Sequence, residues 1–453
     1  MRSVYPMTNQ FIRFLVPLSI TMLVYSFGTQ VINSGLARAP RPVESLAAFA
    51  VAWGIVELFV AFISPSRQVC LVLAESGRSL RRIHNFIIVL GLLAAGFIGT
   101  LAFTPVGTWI LEGAHDTDPD LSAIIRSALA LMMPLPLLES LMRAWAGVMI
   151  RLRRTEIVSA ASLAGIGAMI AVVPPLLPTE FVQVQPIRLA IGAIYAGIFT
   201  NSTVLLWGYF RYAHGRLERH TIAEGAAARP PACDRDPDRS DVTAITYQQL
   251  WHFFWPLSLT ITMQGASRPL INLFVSRSPG GEEALAILGI VYVLSFLPYG
   301  WLNDLRAVAP AFLPTGRATP EQIRQFAVSC CLLSLALTVL MLWAPLRQVI
   351  LIDLISLKPS LAERCFAPLL AFSPVAIPVT VRAYFQGMAL YRRRTEDLAP
   401  SAPGRIGIIV VVLLVIPETA MSGATRGMLA LTAGFALEAV IVWWFVGRGD
   451  RGG

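Results

Sequence analysis

The sequence predicts an all-α polytopic membrane protein with about twelve transmembrane helices in two parallel-repeat six-helix bundles. Three observations lead there. Of 453 residues, 55% are hydrophobic and only 14% charged, with mean hydropathy +0.65, whereas a soluble domain carries about 25% charged residues. Apolar stretches near the length of about 20 residues that crosses a bilayer recur twelve times. Finally, the two halves of the chain align with each other at a single offset.

The twelve stretches are 11–33, 46–73, 86–110, 121–149, 157–177, 187–210, 250–275, 284–312, 325–346, 363–390, 404–420 and 425–446. Several contain proline, among them Pro17, Pro65, Pro134, Pro256, Pro298, Pro374 and Pro378. Such breaks are tolerated in a membrane where neighbouring groups re-satisfy the freed backbone. Arginine collects in the loops after even-numbered spans, at Arg78, Arg81 and Arg82, at Arg151, Arg153 and Arg154, and at Arg392, Arg393 and Arg394. The loop after span three is acidic, with Glu112, Asp116, Asp118 and Asp120. The positive-inside rule then puts both termini in the cytoplasm, as expected for a multi-pass protein of the inner (plasma) membrane. Arg38 and Arg41 dissent and are outnumbered. The first apolar stretch is too long for the core of a signal peptide, and the near absence of lysine (Lys358 alone) points to a GC-rich, bacterial genome. The domain division expected is an N-terminal bundle at 1–215, a cytoplasmic linker at 216–246 and a C-terminal bundle at 247–453. The linker is rich in Ala, Pro, Arg and Asp and has nothing to build a core from.

At an offset of 239, Phe14, Pro17, Leu18, Ser19 and Thr21 fall on Phe253, Pro256, Leu257, Ser258 and Thr260. Asn33, Glu44 and Arg67 fall on Asn272, Glu283 and Arg306, and Arg143 and Met149 on Arg382 and Met388. After a one-residue slip, Arg153-Arg154-Thr155-Glu156 meets Arg393-Arg394-Thr395-Glu396. Six spans per half give both halves the same topology, so the repeat is parallel, about an axis along the membrane normal. Transporters of this construction hold substrate near the midplane and rock one half against the other.

Ionisable side chains inside spans are costly and are functional by default. Arg67 and Arg306 each precede a cytoplasmic arginine by eleven residues, which at helical rise is about 16 Å of depth. Arg143 and Arg382 lie at about 12 and 15 Å. These four form the expected basic belt, because a guanidinium fork matches carboxylate and phosphate oxygens. The competing readings are that they snorkel to the surface or that Arg143 pairs with Glu139 one turn away. Arg268, Asn272 and Asn33 either face substrate or bond between helices. Glu57, Glu139 and Asp304 are candidates for an ion-coupling role; Glu57 and Glu438 could bind a coupling proton or cation, but a buried, paired acid is the favoured reading of both.

Formal charge is +9, which fits nucleic acid, a membrane surface or an anionic substrate. The apolar bulk favours the last two, so the expected partners are a small anion and the lipid bilayer, without nucleic acid, for a monomeric protein. The five cysteines match no metal or disulfide spacing. No phosphate-binding G-x-x-x-x-G-K-[ST] or hydrolase motif is present. No cofactor, metal or enzymatic activity is therefore expected.

The runs Phe254-Trp255-Pro256-Leu257, Ser267-Arg268-Pro269-Leu270-Ile271-Asn272, Pro298-Tyr299-Gly300-Trp301-Leu302 and Val379-Thr380-Val381-Arg382-Ala383 resemble the progressive ankylosis family. So do Leu398-Ala399-Pro400-Ser401, with Arg405 following, and Ile12-Arg13-Phe14-Leu15. The resemblance implies the MATE-like fold of the multidrug/oligosaccharidyl-lipid/polysaccharide exporter superfamily. It further implies export of pyrophosphate, ATP or citrate. The chain departs from the family pattern at Arg143, where an aromatic residue is implied. The function expected is export of a small polyanion (citrate, pyrophosphate or a nucleotide) by rocking-bundle alternating access. The alternatives are a lipid-linked substrate flippase or a multidrug/cation antiporter of the same fold.

Overall fold

The computed structural model describes residues 5–114, 119–213, 245–278, 280–316, 318–354, 359–417 and 420–448, and among these there are helices and turns but no strand. Most of the expected linker lies outside the described residues. Among the described residues, ten helices are long and apolar enough to cross a membrane, from Glu44–Leu73 to Gly423–Arg448. The two other expected spans are also helices of sufficient length, Tyr5–Ala37 with 33 residues and Tyr247–Ser276 with 30. At 1.5 Å per residue they run about 50 and 45 Å, beyond the roughly 30 Å of a hydrocarbon core. The second is less apolar because Gln264, Ser267 and Arg268 stand in its middle.

Proline divides the spans where the sequence places it. Pro65 separates Pro42–Ile63 from Ser66–Leu73, and Pro134 separates Pro119–Met132 from Leu135–Arg151. After Pro298 the helix Gly281–Tyr299 tightens into the 3-10 turn Gly300–Ala307. The Pro298 carbonyl accepts from Trp301 Nε1 at 2.8 Å and Ser334 Oγ at 2.7 Å, which satisfies a backbone group that lipid cannot. Capping boxes close two helix starts, Ser76 with Ser79 and Thr319 with Gln322, each returning side-chain bonds to N–H groups that the helix itself leaves unpaired.

The chain forms two compact units, one of Ile20–Phe254 and the other of Met1–Ser19 with Trp255–Gly453. Pro17 and Pro256 lie beside the boundaries, on helices that begin in one unit and continue in the other. The first unit has an aliphatic core in which Val56, Ile98, Ile125, Leu129 and Leu189 are fully or nearly fully buried. The second is more aromatic. Phe11 meets Phe312 edge-on at 5.0 Å, and Tyr299, Phe372 and Phe435 form a mutually edge-packed trio at 5.4–6.0 Å.

The internal repeat is visible in backbone detail. Arg153 and Arg393 both adopt positive φ, 56° and 57°. In each half the next N–H reaches five residues back, Arg154 to Met149 and Arg394 to Ala389, closing the helix with a Schellman bond. A Cβ on Gly147 would overlap the Arg67 carbonyl oxygen, and one on Gly387 would come within 3.0 Å of the Arg306 oxygen. Glycine at these positions lets a helix pass directly against the arginine-bearing turn. Tyr195 Oη donates to the Leu131 carbonyl at 2.7 Å, and Thr432 Oγ1 to its counterpart Ala371 at 3.1 Å.

These landmarks correct part of the sequence alignment. From Leu131/Ala371 through Thr155/Thr395 they hold an offset of 240, so Met142, not Arg143, is the equivalent of Arg382, and Met149 pairs with Ala389. One residue along a helix is about 100° of rotation, enough to change which neighbour a side chain meets. Arg67 with Arg306 stands as aligned. In the last helix of each half the offset becomes 237, matching Ala193, Ala196 and Gly197 to Ala430, Ala433 and Gly434. Gly197 presses on Met169 and Gly434 on Ile409, which again are equivalent positions.

Gly147→Ala is expected to lower stability by about 1–3 kcal/mol, the usual cost of overpacking, because the new methyl meets backbone. Gly387→Ala is the milder change. Thermal melting of the purified variants checks the order; equal melting temperatures for Gly147→Ala and the unmodified protein would remove the close approach from the account.

Candidate functional site

The C-terminal unit buries a charged cluster assembled from five helical segments. The Glu438 carboxylate, on Gly423–Arg448, is completely shielded, while Arg382 on Ala376–Tyr391 and Arg405 on Ser401–Val415 are each 3% exposed. One carboxylate oxygen, Oε2, accepts from Arg382 Nη1 at 3.0 Å and from Arg405 Nη1 at 2.6 Å. The other, Oε1, accepts from Gln264 Nε2 at 2.6 Å. Arg405 Nε donates to Ser267 Oγ at 2.9 Å, and Arg382 Nη2 donates to Asn303 Oδ1. Phe435 offers its ring to both cations, 4.1 Å from the Arg405 guanidinium carbon and 5.2 Å from that of Arg382. The local sequence explains the assembly. Gln264 and Ser267 are one helical turn apart, and the tight turn after Pro298 carries Asn303.

Chemically, the three joined charges sum to +1. A buried carboxylate with two guanidinium partners and an amide donor is well satisfied, but the second guanidinium is not fully neutralised. Arg382 Nε, moreover, is buried with no hydrogen-bond partner among the described residues. Surplus positive charge of this kind attracts an oxyanion.

The residues expected from sequence are distributed as follows. Arg382 belongs to this cluster. Arg268 lies over the ring of Tyr292 at 4.9 Å, and Tyr292 Oη donates to Asn272 Oδ1 at 3.4 Å, so Arg268 and Asn272 share one aromatic neighbour. Arg306 is half-buried on the Gly300–Ala307 turn, where Asp304 is buried. Arg67 is half-buried on Ser66–Leu73, and Glu57 is exposed on Pro42–Ile63. Glu139 accepts from Arg143 Nε at 3.0 Å, the i, i+4 pairing among the readings open from sequence. Asn33 is in the helix Tyr5–Ala37, and its side chain lies outside those described. Sequence reasoning missed Arg405, Gln264 and Asn303. Arg405 had an available signal, since it lies inside the expected span 404–420, eleven residues beyond Arg394. The two amides had none, because polar residues are common between membrane helices.

The N-terminal unit contains a cavity of about 110 Å³ whose walls include Phe49, Trp53, Glu139, Met142, Gly165 and Asn201. By the corrected repeat, Met142 is the counterpart of Arg382. Gly165 is the counterpart of Arg405, an assignment anchored by Ile166-Gly167 against Ile406-Gly407. Asn201 is the counterpart of Glu438. The same frame thus carries a charged cluster in one half and a largely apolar hollow in the other.

The architecture is that of multidrug and toxin extrusion (MATE) transporters, and the protein is a multi-pass membrane protein. A point mutant of the Vibrio cholerae MATE transporter VcmN superposes with TM-score 0.71 at 13% identity, covering 100% of this chain and 99% of the other. The eukaryotic MATE transporter AtDTX14 gives 0.68 at 12% identity, covering 99% of each chain. A transporter of the broader MOP superfamily from Pyrococcus furiosus, described by the reverse polarity of its binding pocket, gives 0.62 at 13% identity, covering 98% and 96%. Within that fold, the chain belongs to the progressive ankylosis protein (ANKH) family, whose description matches residues 2–344.

Removing one member of a buried charge cluster strands the others and costs about 3–5 kcal/mol, whereas a partly exposed pair contributes about 0–1 kcal/mol. Arg405→Ala is therefore expected to lower the melting temperature strongly and Arg324→Ala, where Arg324 and its partner Glu321 are both exposed, only slightly. Comparable losses for the two variants would contradict the burial argument.

Proposed function

We propose that this protein is a membrane transporter that exports a small polyanion such as citrate, pyrophosphate or a nucleotide like ATP, working by rocking-bundle alternating access. The observation that carries the reading is the surplus positive charge of the Arg382–Glu438–Arg405 cluster, held where water cannot screen it. In this proposal Arg67, Arg306 and Arg382 hold the anion, assisted by Arg143 and Arg268, while Asn33 and Asn272 supply neutral hydrogen bonds. Glu57, Glu139 and Asp304 are the acids through which an ion gradient would couple. The protein works as a monomer in the inner membrane, divided into bundles at 1–215 and 247–453 joined by 216–246, with both termini cytoplasmic. Family membership supports a transport role, and the fold supports the alternating-access scheme.

A second reading has its own observation. The N-terminal cavity, with Phe49, Trp53 and Met142 around the Glu139 carboxylate, suits a lipophilic cation or an acyl chain better than an anion, which favours a multidrug/cation antiporter or a lipid-linked flippase.

Uptake of labelled citrate, pyrophosphate and ATP into proteoliposomes separates the two. The polyanion reading expects uptake of at least one, reduced about tenfold or more in Arg382→Ala and Arg306→Ala, in line with the loss of a charge-assisted hydrogen bond of about 1.5–3 kcal/mol. Movement of a cationic dye or a lipid-linked substrate with no anion uptake would select the second.

A further inference from the structure

Resting on the polyanion reading, we propose that Glu438 is a tethered counter-anion. Its carboxylate holds, between Arg382 and Arg405, the place that a carboxylate or phosphate group of the cargo takes on binding. Three observations lead to this. The fold does not require the charges: at the equivalent positions of the other unit stand Met142, Gly165 and Asn201, and that bundle closes around a cavity of about 110 Å³ without them. Two arginines and an acid retained at such a place, despite the cost of burying them, therefore answer to something other than packing.

Glu438 also presents its carboxylate as an incoming oxyanion would. A single oxygen, Oε2, bridges the two Nη1 groups at 3.0 and 2.6 Å, and the second oxygen rests on the neutral Gln264. Lastly, the arrangement is left one anion short. The joined charges sum to +1, and Arg382 Nε has no acceptor among the described residues although Arg382 is only 3% exposed. An entering group of charge −1 brings the sum to zero and supplies that acceptor. Glu438 then needs only to release Oε2, remaining on Gln264. The tether serves turnover as well: once cargo departs, the carboxylate returns and the arginines are not left unpaired in a low-dielectric interior.

The test uses the full-length protein in nanodiscs. In Glu438→Ala, acetate or inorganic phosphate at millimolar concentration is expected to raise the melting temperature saturably, because either anion fills the gap between the arginines. Unmodified protein, in which the Glu438 carboxylate competes for the same place, should show a much weaker acetate effect, and Glu438→Ala/Arg405→Ala should lose it. No greater acetate stabilisation in Glu438→Ala than in unmodified protein overturns the proposal. Should that variant not fold, Glu438→Gln keeps the shape and the Gln264 contact. It is expected to bind citrate or pyrophosphate at least about tenfold more tightly and to exchange it more slowly, and unchanged or weaker binding overturns the proposal. Acetate binding to Glu438→Ala without anion transport by the unmodified protein would count against the polyanion reading and leave the counter-anion intact.

Discussion

Charge placed inside a membrane protein must be met by charge or by a hydrogen bond, because neither lipid nor a packed core supplies a substitute for water. The C-terminal unit is organised around that demand. Glu438 is satisfied only because Gln264, Arg382 and Arg405 reach it from three other helices. Arg382 in turn needs Asn303, which the turn after Pro298 delivers. Phe435 lies against both guanidinium groups and is itself held by Tyr299 and Phe372. Gly434, one position before Phe435, lets Ile409 of the Arg405 helix pack close; a Cβ there would stand 2.9 Å from Ile409 Cδ1 and Cγ1. Aromatic packing, helix breaks and small residues in this unit are therefore parts of one solution to a single electrostatic problem.

The N-terminal unit shows the same frame with that problem removed. Its helix-ending arginine at positive φ, its glycine against an arginine carbonyl and its side-chain bond to the Leu131 carbonyl all have counterparts in the other half. What differs is the filling: methionine, glycine and asparagine replace two arginines and an acid, and a hollow remains. A duplicated scaffold has kept its backbone devices and diverged in the chemistry of its interior. Packing between repeat helices is enforced by backbone contact and tolerates little change.

Much of the architecture was legible because it rests on local rules. Apolar length gave the spans, loop arginines gave an expected orientation, and prolines marked the breaks at Pro65, Pro134 and Pro298. The repeat also emerged, since Arg67/Arg306 and the Arg-Arg-Thr-Glu segments are polar matches that chance apolar similarity does not supply. Its register failed at Arg143 and Arg382, where identity of residue type outweighed helical phase. Arg405 was passed over for a related reason. It sits near the start of a span, where a snorkelling arginine is ordinary, and only the approach of Gly423–Arg448 and Tyr247–Ser276 turns it inward onto Glu438 and Ser267.

The sequence by itself determined that this chain is a helical membrane protein built from a repeated half, that it carries arginines within its spans, and that it resembles the progressive ankylosis family. These properties follow from composition, from periodic apolar length and from alignment, all of which are readable along one dimension. Tertiary structure alone decided which arginine meets which acid. It joined residues 264, 303, 382, 405 and 438 into one cluster, paired Arg143 with Glu139, and left a cavity where the repeat would have put charge. Such choices depend on helical phase and on contacts between segments far apart in the chain, and a rotation of one residue is enough to reverse them.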